Sequence, residues 1–96
     1  MKINELTEQA HYNALIKGFH DSPREVGTSL MLIVSELSEA LEAHRKNDWI
    51  AVKEEIADTF IRLGDFCGEY KINAEDEILA KMKINASRPK KHGKEY

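Results

Sequence analysis

The chain is predicted to be all-α, folding as a four-helix, bundle-like protomer. Apolar residues recur with a period of about 3.6 in two long stretches. No stretch shows the strict alternation of a half-buried strand, and only two prolines interrupt 96 residues. That length allows a single domain, 1–96, with a modest core, near the lower limit for burying enough apolar surface alone. A composition of 42% hydrophobic and 32% charged residues belongs to a folded chain rather than a disordered one.

Helix 1 is expected from Asn4, as N-cap, to about Phe19, with Leu6, Ala10, Asn13, Ala14 and Lys17 on one side. Gly18 and then Asp21-Ser22-Pro23 stop it. Helix 2 follows Pro23 and continues to about Lys46, with Leu30, Ile33, Val34, Leu37 and Leu41 as its core face. Asp48 caps helix 3, which runs from Trp49 to about Tyr70 and carries Trp49, Val52, Ile56, Phe60, Leu63 and Cys67 as its stripe. The connection Asn47-Asp48 is short enough to make helices 2 and 3 antiparallel neighbours. Helix 4 starts near Ala74 with Asn73 as cap and ends at Pro89, before a basic tail, 89–96, that is expected to be mobile.

The second faces of helices 2 and 3 are less ordinary. Glu36 and Glu39 are three positions apart, as are Glu55 and Asp58, so each pair shares one helix face about a turn apart. Glu36 and Glu39 fall on a side with Leu32 and Ala43, and Glu55 and Asp58 with Ala51 and Arg62. Acids on helices are usually solvated surface charge. These border apolar residues, share one register and meet across a tight hairpin, which points instead to four carboxylates gathered around a hard cation. Helices with two covered faces also imply an oligomer.

Composition limits the alternatives. The net charge of -3 divides into an acidic body and a basic stretch from Arg88 to Tyr96, which excludes a general nucleic-acid binder. A single cysteine, Cys67, forms no internal disulfide and fits a reducing compartment; its place in the apolar stripe makes it a small core residue. The first residues open no signal-peptide pattern, and the longest apolar run, Leu30 to Val34, is far too short to cross a bilayer. A cytoplasmic protein without membrane association is expected.

Carboxylate-only ligands favour Mg²⁺ or Mn²⁺ over zinc or copper. A di-iron bundle normally needs Glu-x-x-His pairs, and neither acid segment supplies the histidine. Four acids suit more than one ion, with phosphate oxygens completing the coordination. No P-loop appears, so phosphate handling rests on the ions together with Lys81, Asn85 and Arg88, which recur at i, i+4 and i+7 on helix 4. His11 and Asn13 are polar residues on a helix short of apolar ones, and surface exposure is the plainer reading of His11.

These residues carry a resemblance. Glu36-x-x-Glu39 followed by Glu55-x-x-Asp58 is similar to the signature of the MazG-like, all-alpha nucleoside triphosphate pyrophosphohydrolases. The segments His11-Tyr12-Asn13-Ala14, Lys17-Gly18-Phe19, Pro23-Arg24-Glu25 and Asn85-x-x-Arg88-Pro89-x-Lys91-His92-Gly93 resemble small single-domain members. The resemblance spans nearly the whole chain. It implies Mg²⁺-dependent attack of water at the α-phosphate of a nucleoside triphosphate, giving the monophosphate and pyrophosphate.

By the same resemblance Glu36, Glu39, Glu55 and Asp58 hold the ions, and Glu39, with Glu36 beside it, is the candidate general base. Lys81, Asn85 and Arg88 are candidates for binding the phosphates, and His11 and Asn13 for approaching the base or sugar; Arg62, on the same face as the helix-3 acids, is a further substrate-binding candidate. The resemblance also implies a homodimer or homotetramer. Two positions depart from the pattern: His20 replaces an aromatic residue that stacks on the base in relatives, and Ile84 replaces a frequent Tyr. Base preference is therefore open. The alternative reading is a non-catalytic helical module that binds nucleotides or a basic protein partner through its acidic face.

Overall fold

The computed structural model describes residues 1–89 and contains four helices with no strand among them. In chain order these are α1 (Ile3–Ile16), α2 (Val26–Arg45), α3 (Trp49–Glu69) and α4 (Ala74–Ser87). The expected basic tail from residue 90 onward lies outside the described residues.

Local chemistry sets most boundaries. Gly18, at φ 81°, takes a left-handed turn that a side chain would strain, and α1 ends two residues before it. Asp48 accepts from the Ala51 amide at 3.1 Å and starts α3. Asn73 does the same for α4 through the Asp76 amide, also at 3.1 Å. Asn4 has a different role from the expected N-cap of α1. The helix already begins at Ile3, and Asn4 faces the start of α4, where its amide donates to Asn73 Oδ1 (3.0 Å) and its carbonyl oxygen accepts from the Glu75 amide (3.2 Å). An extended Arg88 before Pro89 closes α4.

α3 is the centre of the fold, with α1 and α2 packed on it and α4 touching α1. The α1–α3 contact is close because Gly64 and Gly68, one turn apart, present no side chain. A Cβ on Gly64 would sit 3.2 Å from the Ala10 Cβ, and one on Gly68 would collide with the Cβ of His11. Small residues dominate what is buried: Thr7, Ala10, Ala14, Ser29, Ala40, Thr59, Gly64 and Ala74, with Ile33 the largest apolar side chain.

This packing corrects the expected core. Leu30, Val34, Leu37 and Leu41 are 45–50% exposed, and Phe60 is 58% exposed, with Ile56 and Leu63 beside it also exposed. The faces turned inward are Ser29, Ile33, Glu36 and Ala40 on α2 and Glu55, Thr59 and Arg62 on α3. Periodicity located apolar stripes but not the faces turned inward, and α3 lies against the neighbouring, smaller-residue face of α2 instead. The radius of gyration, 15.6 Å, exceeds the roughly 12.5 Å expected for a compact chain of this length. Among the described residues, no helix is long and apolar enough to cross a membrane. Cys67 is half-buried, and desolvation pushes its thiol pKa up, as suits an inert packing residue.

Candidate metal centre

Glu36 and Glu39 on α2 meet Glu55 on α3, and one oxygen from each lies within 4.8 Å of the others. The antiparallel hairpin produces this convergence, because Glu39 and Glu55 stand equally far in sequence from Asn47 in the turn, with Glu36 one helical turn further along α2. Glu36 is half-buried, Glu39 exposed and Glu55 half-buried. Three carboxylates this close cannot all ionise at ordinary cost. Competition with the adjoining Glu39 and Glu36 carboxylates for one proton, followed by desolvation, raises Glu55 from 4.5 to about 7. Glu36 moves the other way: Arg62 Nε donates to its Oε1 at 2.7 Å and holds the carboxyl below its usual range.

The fit to a cation is visible in one atom. Glu55 Oε2 is buried and has no hydrogen-bond partner in the protein. An acceptor in that position is costly unless a cation or a proton meets it. The donor set is oxygen only, which suits Mg²⁺ or Mn²⁺. Asp58 is exposed and stands outside the group of three. It lines the adjoining cavity, on the same side of α3 as Arg62.

That cavity, of about 470 Å³, opens between α1, α2 and α3. Its walls are Ala10, Asn13, Ala14 and Lys17 from α1 and the residue after it, Phe19 from the following turn, Glu36 from α2, and Asp58, Ile61, Arg62 and Asp65 from α3. It therefore joins one acid of the cluster to an apolar wall, to Asn13 of α1 and to Lys17 just after that helix.

The other expected residues fall in different places. Asn13 lines the cavity, and Arg62 lines it while bonded to Glu36. His11 instead bonds through Nδ1 to Asp65 Oδ1 at 2.9 Å. Lys81, Asn85 and Arg88 are exposed along α4, and none belongs to the cavity wall; Arg88 bonds to Asn85 Oδ1 at 3.5 Å. Asp65, Glu69, Lys17 and Phe19 were not foreseen as site residues. Asp65 and Glu69 continue the 58–62 face of α3 at helical spacing, and extending that face by two turns would have found them.

Comparison with protein-family models, with curated proteins and with solved structures gave no match to this chain.

Proposed function

We propose that the protein is a Mg²⁺-dependent nucleoside triphosphate pyrophosphohydrolase, converting a ribo- or deoxynucleoside triphosphate to its monophosphate and pyrophosphate. The observation that carries this reading is the convergence of Glu36, Glu39 and Glu55 beside a cavity large enough for part of a nucleotide. The sequence resemblance suggests the reaction, and the gathering of acids beside the cavity supports it.

In this reading Glu36, Glu39 and Glu55 bind the ions, with Asp58 reaching them from the cavity side. Bound Mg²⁺ would neutralise phosphate charge and lower the pKa of a coordinated water. Arg62 keeps Glu36 ionised and ready to ligate. Glu39, the most exposed of the three, is placed to accept the proton of the attacking water. The apolar wall of Ala10, Ala14 and Ile61, with Phe19 at its edge, shelters a base, and Asn13 offers it polar contacts.

A homo-oligomer belongs to the same proposal. The exposed leucines of α2 and the Ile56–Phe60–Leu63 row of α3 flank an apolar groove lined by Leu37, Ile56, Thr59, Phe60 and Leu63. An apolar face of this extent is normally an interface, and a second copy of the chain covers it. Such an assembly also gives the exposed Lys81, Asn85 and Arg88 of one copy a route to the phosphates bound by another.

The test is product analysis. The protein is incubated with each common triphosphate, ribo and deoxy, with and without Mg²⁺, and the products are resolved. Metal-dependent monophosphate plus pyrophosphate is expected. Diphosphate plus phosphate would overturn the choice of bond, and no product with any triphosphate would favour the non-catalytic module.

A further inference from the structure

We propose that His11, His20 and Asp65 form a second cation site, one for a borderline transition-metal ion such as Zn²⁺, distinct from the hard-cation site at the acid cluster. The two imidazoles come from different segments, His11 from α1 and His20 from the turn that follows it, and both converge on one carboxylate of α3. His11 Nδ1 lies 2.9 Å from Asp65 Oδ1, and His20 Nε2 lies 2.8 Å from Oδ1 and 3.0 Å from Oδ2. The three ligand atoms all fall within 4.8 Å of one another.

First-row ions hold nitrogen and oxygen donors at about 2.0–2.2 Å, which sets adjacent donors roughly 3.0–3.5 Å apart. The two His–Asp65 spacings need to widen by only a few tenths of an ångström to take an ion, and the two imidazole nitrogens already lie within 4.8 Å of each other. Two neutral imidazoles with one carboxylate select zinc, iron, cobalt or nickel over Mg²⁺, the reverse of the all-oxygen cluster.

A second observation is independent of the ligand atoms. The other ring nitrogen of His20, Nδ1, lies 3.3 Å from Glu69 Oε1. Metal-bound histidines are characteristically oriented by a carboxylate on the remote nitrogen, which fixes the ring and raises its basicity. The place is also built rather than incidental. Gly68 has no side chain where His11 sits, so the ring reaches α3 only because that position is glycine. The side chains of His20 and Asp65 are 10% and 17% exposed. An ion there fastens the turn after α1 to α3 beside the cavity that Asp65 also lines. The site stands whether or not the acid cluster hydrolyses triphosphates.

The experiment is a Zn²⁺ titration of the tag-free chain in excess Mg²⁺, followed by calorimetry and by the ring ¹⁵N resonances of the histidines. One high-affinity Zn²⁺ per protomer is expected, with the ring signals of His11 and His20 shifting together and those of His44 unmoved. His20→Asn should weaken binding more than Glu69→Gln, whose expected loss is about 10- to 100-fold, while Glu55→Gln should leave it unchanged. The proposal fails if the wild-type His11 and His20 rings do not respond to Zn²⁺. It fails equally if Glu55→Gln abolishes the binding, which would assign the ion to the acids. The ring signals are read on the wild-type chain, so the result does not depend on how any variant folds.

Discussion

Arg62 on α3 donates through Nε to Glu36 on α2 at 2.7 Å, across the seam that also carries Glu39 and Glu55. This one bond divides the labour among the acids. It lowers the pKa of Glu36 and leaves Glu55 to carry the shared proton. The cluster thereby holds one committed anion and one carboxyl that a bound cation would have to deprotonate.

Replacing Arg62 with Gln should release Glu36 towards its ordinary titration and lower turnover by about 10- to 100-fold, the range typical of residues that orient a metal ligand. The effect on stability has a defined sign. Glu36 is lowered on folding, so its ion pair contributes above the unfolded value of 4.5 and is lost as pH falls through the lowered folded value. Wild-type and variant melting temperatures should differ at neutral pH and converge in acid. Arg62 is more than a third exposed, which limits the difference to about 1 kcal/mol or less.

Glu55 titrates in the opposite sense. Raised from 4.5 to about 7, it binds a proton in the folded state that the unfolded chain has already released. Its contribution to the stability of the metal-free protein therefore declines as pH rises from about 4.5 to about 7 and levels off above. Glu55→Gln should remove this decline, seen as the difference between the two melting profiles. A divalent ion must displace the same proton, so Mn²⁺ affinity should weaken by up to about tenfold for each pH unit below that value. Binding isotherms one unit below and one unit above it would measure this.

Gly68→Ala should destabilise the protein by about 1–3 kcal/mol, because the new Cβ collides with His11 and the helices must separate. Gly64→Ala, whose nearest neighbour is the Ala10 Cβ at 3.2 Å, should cost less, since alanine also regains helix propensity. Chemical denaturation of both variants gives the order.

Phe60 is 58% exposed on the apolar row of α3. Phe60→Glu should shift the mass measured by light scattering from oligomer to monomer. A wild-type chain that is already monomeric at micromolar concentration would contradict the proposed interface.

The helices and their ends were largely legible in the sequence, since Asp48, Asn73, Gly18 and Pro89 act locally and need no tertiary partner. The meeting of Glu36 and Glu39 with Glu55 was legible for the same reason, as the tight Asn47-Asp48 turn fixes the heights of both helices. The inward faces were not. Leu30, Val34, Leu37 and Leu41 form the more hydrophobic stripe of α2, yet the helix seam uses Ser29, Ile33, Glu36 and Ala40. A hydrophobic period marks an apolar stripe without saying which face the neighbouring helix takes. The reach of His11 to Asp65 was hidden too, because it depends on Gly68 opening the α1–α3 contact, a pairing 57 residues apart in sequence.

The most direct test of the proposed reaction is hydrolysis of the preferred triphosphate in ¹⁸O-labelled water with Mg²⁺, comparing the wild-type chain with Glu39→Gln. Attack at the α-phosphate predicts label in the monophosphate and none in pyrophosphate. Turnover should fall at least about a hundredfold in the variant while its helical signal and melting temperature are retained or raised. Label in pyrophosphate, or a variant that hydrolyses as fast as wild type, would contradict this mechanism.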